Sequence, residues 1–166
     1  MTLEILPDKG FKLNSEFFYW SDERKSVRQK LKTHYKEDDR VIEMSQFFDG
    51  DTNHNIDQKR DIYEDTNGMK NYFFLSFDKD NKLCDLEVHW GIKILIDNIE
   101  MEFGKDIDIY LNHLKLKGYD FKEIEQGNYL FEKLKITIAD SESTGGEGNG
   151  LSYFYFGQNI KHLIEY

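Results

Sequence analysis

Hydrophobic and polar positions alternate most regularly between Tyr72 and Gly91, in the stretch YFFLSFDKDNKLCDLEVHWG. Phe73, Leu75 and Phe77 alternate with Tyr72, Phe74 and Ser76, the two-residue period of a strand. Asp78-Lys79-Asp80-Asn81-Lys82 offers side chains that hydrogen-bond their own backbone and tolerate positive φ, so a turn is predicted there. On the return, Cys84, Leu86, Val88 and Trp90 share one face while Asp85, Glu87 and His89 share the other. That arrangement suits an antiparallel sheet packed on one side and wet on the other.

A related pattern closes the chain. In LKITIADSESTGGEGNGLSYFYFG, Leu134, Ile136 and Ile138 alternate, Asp140 ends the strand, and Tyr153 to Phe156 returns to Gly157. What precedes each hairpin also corresponds. Phe17 to Trp20 leads into a predicted helix from about Ser21 to Tyr35, with Ser21 as N-cap and Val27, Leu31 and Tyr35 as its apolar stripe. Ile99 to Phe103 leads into another from about Gly104 to Lys117, closed by Gly118 in the left-handed conformation. The order strand, helix, strand, long hairpin thus occurs twice at an offset of roughly 83 residues, which suggests a degenerate duplication with halves 1–91 and 92–166. The expected fold is α+β: one domain over 1–166, a curved antiparallel sheet, and two main helices on one face.

Composition narrows the picture. The 166 residues include thirteen Phe and ten Tyr, enough aromatic side chain to bury a core and to argue against disorder. No window approaches the apolar length of a membrane span, and MTLEILPDKG lacks the features of a signal region. One cysteine rules out an internal disulfide, and a cytoplasmic protein is expected. The formal charge of −10 disfavours nucleic acid, whose phosphates call for Lys and Arg, and favours encounter with a basic partner. Arg24, Lys25, Arg28, Lys30, Lys32 and Lys36 make the first helix basic, but without interleaved aromatics it reads as a solvated face.

Candidate chemistry is sparse. The five histidines fall on separate segments with no shared ligand spacing, and Cys84 on a packed face reads as a small hydrophobe. The glycine-rich Ser141–Gly150 loop lacks the Lys and following helix of a phosphate cradle. Neither a catalytic constellation nor a cofactor site is expected. The longest polar connection, DGDTNHNIDQKRDIYED from Asp49 to Asp65, alternates Asp49, Asp51, Asn53, Asn55 and Asp57 like a calcium loop. His54 stands where that loop needs glycine, and Arg60 where it needs a bidentate Glu. A mobile acidic loop is the alternative.

The acid-rich Asp49–Asp65 loop and the hairpin LKITIADSESTGGEGNGLSYFYFG resemble, in general type, immunity proteins of bacterial contact-dependent and other polymorphic toxin systems. The resemblance implies binding to a toxin domain, often a nuclease, and blockage of its active site or substrate groove. On that expectation Asp49, Asp51, Asp57, Asp61, Glu64, Asp65, Glu142 and Glu147 would face a basic toxin. The alternatives are a non-catalytic interaction domain with another partner, and a calcium-binding module.

Overall fold

The computed structural model describes residues 1–64 and 72–164. Its strands in chain order are β1 (Thr2–Leu6), β2 (Gly10–Leu13), β3 (Glu16–Tyr19), β4 (Lys36–Glu37), β5 (Arg40–Ile42), β6 (Ile56–Tyr63) and β7 (Phe73–Phe77). There follow β8 (Leu83–Val88), β9 (Lys93–Ile96), β10 (Ile99–Met101), β11 (Lys122–Glu125), β12 (Asn128–Phe131), β13 (Ile136–Asp140) and β14 (Leu151–Gly157). Helix α1 (Arg24–Leu31) follows β3, and α2 (Ile107–Leu116) follows β10. The class is α+β, as expected.

The strands form two open sheets where a single one was expected. The smaller has the order β10-β9-β1-β2-β3, and its β1–β9 pair is parallel. The larger has the order β11-β12-β13-β14-β8-β7-β6-β4 with every pair antiparallel, and β5 also pairs with β6. One continuous hydrophobic cluster joins them, drawing Leu3, Phe11, Phe18 and Ile94 from the small sheet and Phe73, Leu75, Leu86 and Phe156 from the large. Val27 of α1 and Ile107, Leu111 and Leu114 of α2 enter the same cluster.

The predicted hairpin forms, with one change. Ser76 pairs with Asp85 but Phe77 pairs with Leu83, so Cys84 is an extra residue in the ladder. Leu83 therefore joins Phe77 in the core, and Trp90, expected inside, lies beyond the end of β8 and is 51% exposed. Between β9 and β10, Asp97 and Asn98 both take positive φ, the geometry of a two-residue hairpin turn.

Helix α1 is shorter than predicted at both ends. Ser21 has φ 72° and does not cap it; its N–H donates to the Leu83 carbonyl, and the Leu83 N–H donates to the Asp22 carbonyl. Long-range pairing to β8 has outcompeted the local cap. Lys32, in the left-handed conformation, ends the helix by donating its N–H to Arg28. Helix α2 behaves closer to expectation. The Asp106 carboxylate accepts the Asp108 N–H, and at the other end Gly118 and Tyr119 donate to Lys115 and Leu114, a Schellman closure around a glycine with φ 85°.

Candidate functional site

The Asp49–Asp65 segment is not one long loop. Its first part belongs to a folded finger over residues 41–57, in which β5 and the start of β6 pair in the register Val41↔Asp57 and Ile42↔Ile56. Two short 3-10 turns, Ser45–Phe47 and Thr52–His54, form the tip. The tip is fastened by its own polar groups. Gly50 N–H donates to Ser45 O, Met44 N–H to Asn55 Oδ1, and Asn53 N–H to the Asp51 carboxylate that caps the second turn.

The finger carries large apolar side chains that the fold leaves in water: Phe47 is 69% exposed, Val41 57% and Ile56 51%, with Phe48 beside them. Exposed Asp49, Asp51 and Asp57 are interspersed. The register sets Val41 beside Asp57 on one face of the ribbon and Ile56 beside Ile42 on the other, so the apolar side chains are spread over both faces of the finger. Reading by residue type singled out the acids and missed Phe47 and Phe48, whose exposure follows from the 3-10 turns.

Below the finger, Asp61 departs from expectation. It is fully buried and accepts five hydrogen bonds, two from Arg24 (Nε 3.1 Å, Nη2 2.6 Å), two from Arg28 (Nε 2.7 Å, Nη2 2.7 Å) and one from the Tyr63 hydroxyl at 3.5 Å. Burial pushes its carboxyl up, but the two guanidiniums outweigh this and hold it below the ordinary carboxylate range. Arg24 also grips Asp39 with both terminal nitrogens, at 2.7 and 2.8 Å, and Arg28 reaches Glu37 at 2.6 Å. Asp38 takes Arg60 at 2.6 Å. Hydrogen bonds from Arg60 and Arg24 hold Asp38 and Asp39, respectively, low. The rings of Phe77 and Tyr35 back the two helix guanidiniums at 5.0 and 4.1 Å. Asp61 is thus no contact residue; it ties α1 to the root of the finger.

The other acids are placed as follows. Glu64, Glu142 and Glu147 are exposed, and Asp65 lies outside the described residues. Strand registers put the finger and the Ser141–Gly150 loop at opposite ends of the large sheet. Phe154 pairs with Val88, Val88 with Phe73 and Phe73 with Tyr63, so the start of β14 aligns with the end of β6, not with its beginning. The Ser141–Gly150 loop is closed by Ser143 N–H on Asp140, Gly146 N–H on Ser141 O, and Asn149 on Asp106. The structure does not bring the two acidic segments together.

The face of the large sheet turned from the core carries a second cluster. Tyr72, Phe74 and Tyr153 surround the His89 ring at centroid distances of 5.0, 4.8 and 5.3 Å. Glu87 accepts from Tyr153 at 3.2 Å, lies 3.7 Å from His89 Nε2, and has Arg60 4.0 Å away. Burial pushes the Asp85 carboxyl and the Cys84 thiol up, so Cys84 is held as a thiol rather than a nucleophilic thiolate. Asp49, Asp51, Asn53, Asn55 and Asp57 do not converge as calcium ligands: Asp51 caps a turn, Asn55 holds Met44, and Asp57 lies on a strand. Among the described residues no group of three or more His, Cys, Asp or Glu is placed to hold a metal ion, and no helix is long and apolar enough to cross a membrane. No protein-family model matches the chain, and neither a curated protein nor a solved structure matches it.

Proposed function

We propose that this chain is a binding protein that captures a basic protein domain, specifically an immunity protein that neutralises a cognate toxin in the cytoplasm. The observation that carries the reading is the finger, where exposed Phe47, Val41 and Ile56 stand among Asp49, Asp51 and Asp57. Aromatic anchors supply affinity once desolvated, and the acids steer a cationic groove toward them. A groove built for phosphates would accept the acids in place of a nucleic-acid backbone. Half of the basic residues of the first helix, which sits awkwardly with an acidic inhibitor, are engaged internally: Arg24 and Arg28 hold Asp61, and Lys30 holds Asp22 at 2.7 Å, while Lys25, Lys32 and Lys36 are exposed.

The test is capture from lysate of the source cells with wild type, Phe47→Ala, and the triple variant Asp49→Asn, Asp51→Asn, Asp57→Asn, followed by co-expression of whatever is captured. A single basic protein should be retained, its toxicity should be relieved by the wild type, and Phe47→Ala should weaken retention about tenfold or more. The triple variant should associate more slowly, most visibly at low salt. A partner held equally by all three proteins would remove the finger, and a partner whose expression is harmless would favour a plain interaction domain.

We also read the chain as duplicated. Support comes from strand order: β8 and β14, each the last strand of its half, are adjacent and antiparallel, with β7 and β13 outside them. In the small sheet β2-β3 and β9-β10 flank β1, which would stand outside the repeat.

A further inference from the structure

The finger leaves the large sheet as a two-stranded ribbon. Lys59 of β6 is still paired with Phe77 of β7, but from Gln58 back to Ile56 the strand pairs only with β5. The two faces of the ribbon continue the two faces of the sheet. By strand alternation, the face with Val41 and Asp57 runs on into Asp61 and Tyr63, and the face with Ile42 and Ile56 runs on into Arg60. Neither face is covered: Val41 is more than half exposed on one and Ile56 on the other, with Phe47 more exposed still at the tip. None of the described residues from 41 to 57 enters either hydrophobic cluster. The bonds from Gly50 to Ser45 and from Met44 to Asn55 hold this shape before any partner arrives. Positions 41–57 also hold Glu43, Asp49, Asp51 and Asp57, all exposed, and neither a Lys nor an Arg, in a chain that has 22 of those bases.

We propose that the finger is a plug, held between the two walls of a Lys- and Arg-lined cleft in a protein partner. This rests on the binding role given to the finger above and adds how the finger is held. A flat partner covers one face only and leaves Val41 or Ile56 in water, where neither contributes affinity. A cleft covers both faces and the Phe47 tip together. A ribbon with side chains on both faces is about 10 Å through, the spacing of packed sheets, and the cleft needs that width. Charge selects the lining. With Asp57 on the ribbon, Asp49 and Asp51 at the tip and no Lys or Arg between them, the finger has nothing to offer an acidic wall. A second copy of this chain would set acid against acid, and a nucleic acid would set phosphates against them. Lys and Arg walls answer both features, because their aliphatic stems pack on Val41 and Ile56 while their charged heads meet the carboxylates.

The test uses the photo-crosslinker benzoylphenylalanine in the full chain, in place of Val41, Ile56, Phe47 or, as a control on α2, the 85% exposed Leu116, one position per protein. Each protein is expressed in the source cells and irradiated, and the adducts are mapped by mass spectrometry. Val41 and Ile56 should both join the protein that Phe47 joins, at separate peptides that carry Lys or Arg, and Leu116 should not. Val41→Ser and Ile56→Ser should each weaken retention of that protein about tenfold, with circular dichroism showing that both variants are folded. Adducts from only one of Val41 and Ile56, or lost affinity on only one face, would overturn the plug and leave the finger as a one-sided contact. Adducts to a second copy of this chain or to nucleic acid would overturn the cationic cleft. An adduct from Leu116 alone, or none from all four positions, would remove the finger as a binding site, and the proposed function would fall with it.

Discussion

Asp61→Asn should be the most damaging conservative change in the chain. The amide keeps the volume of the carboxylate but removes its charge from between Arg24 and Arg28, and it turns an N–H₂ toward guanidinium donors at 2.6–3.1 Å. Removing one member of a buried ion pair costs about 3–5 kcal/mol, chiefly because the remaining charge stays desolvated. Here Arg24 retains Asp39 and Arg28 retains Glu37, so the loss belongs at the lower end, about 3 kcal/mol. For a domain of this size that corresponds to a fall in Tm of about 6–12 °C. Urea unfolding followed by tryptophan fluorescence would give the difference directly, with m unchanged. The pH dependence supplies a second readout. Because folding lowers the Asp61 pKa, its contribution is complete above the unfolded value of about 3.9 and fades as pH drops through the lower folded value. The gap between variant and wild type should therefore be constant near neutrality and close in acid. A loss below about 1 kcal/mol, typical of an exposed pair, would refute the account of Asp61 as a buried anchor.

Asp85 works in the opposite direction: burial raises its carboxyl pKa, so the folded state holds its proton more tightly and stability falls as pH rises from the unfolded value toward the folded one. Asp85→Asn should raise Tm at neutral pH, and thermal scans at acid pH should show the gain disappear. Cys84, with its thiol pushed up by burial, should resist iodoacetamide at neutral pH until the protein unfolds, as mass spectrometry with and without denaturant would show. Gly10, at φ 138°, would bring a Cβ into the Phe18 carbonyl, so Gly10→Ala should destabilise by about 2 kcal/mol or more in urea titrations.

The legible parts of this fold were those governed by neighbours in sequence. Alternation from Phe73 to Val88 located β7 and β8, and Gly118 marked the end of α2, because strand period and helix closure are local properties. The errors arose where distant residues decided. Which residue of β8 becomes the bulge depends on what β7 places opposite it, and that slip put Leu83 in the core with Phe77. Ser21 looked like an N-cap until Leu83 took its N–H. The acid-rich segment after Asp49 read as one loop because nothing near Asp57 reveals that Val41 pairs with it, sixteen positions earlier in the chain.

Charge shows the same division with a functional consequence. Asp61 sits among exposed acids in sequence, and its arginines lie 33 and 37 residues away, so no local pattern distinguishes it from Asp57. Arg24 and Arg28 spend their charge on holding β4 and β6 to the core, while Lys25, Lys32 and Lys36 stay exposed. The acids of the finger are placed differently: Asp49 and Asp57 are exposed, and Asp51 caps a turn. A fold that directs Arg24 and Arg28 inward onto Asp61 and keeps Phe47, Asp49 and Asp57 outward has separated these structural charges from its surface charges. Under the proposed function it is the exposed set, more than the net charge of −10, that would meet a cationic partner.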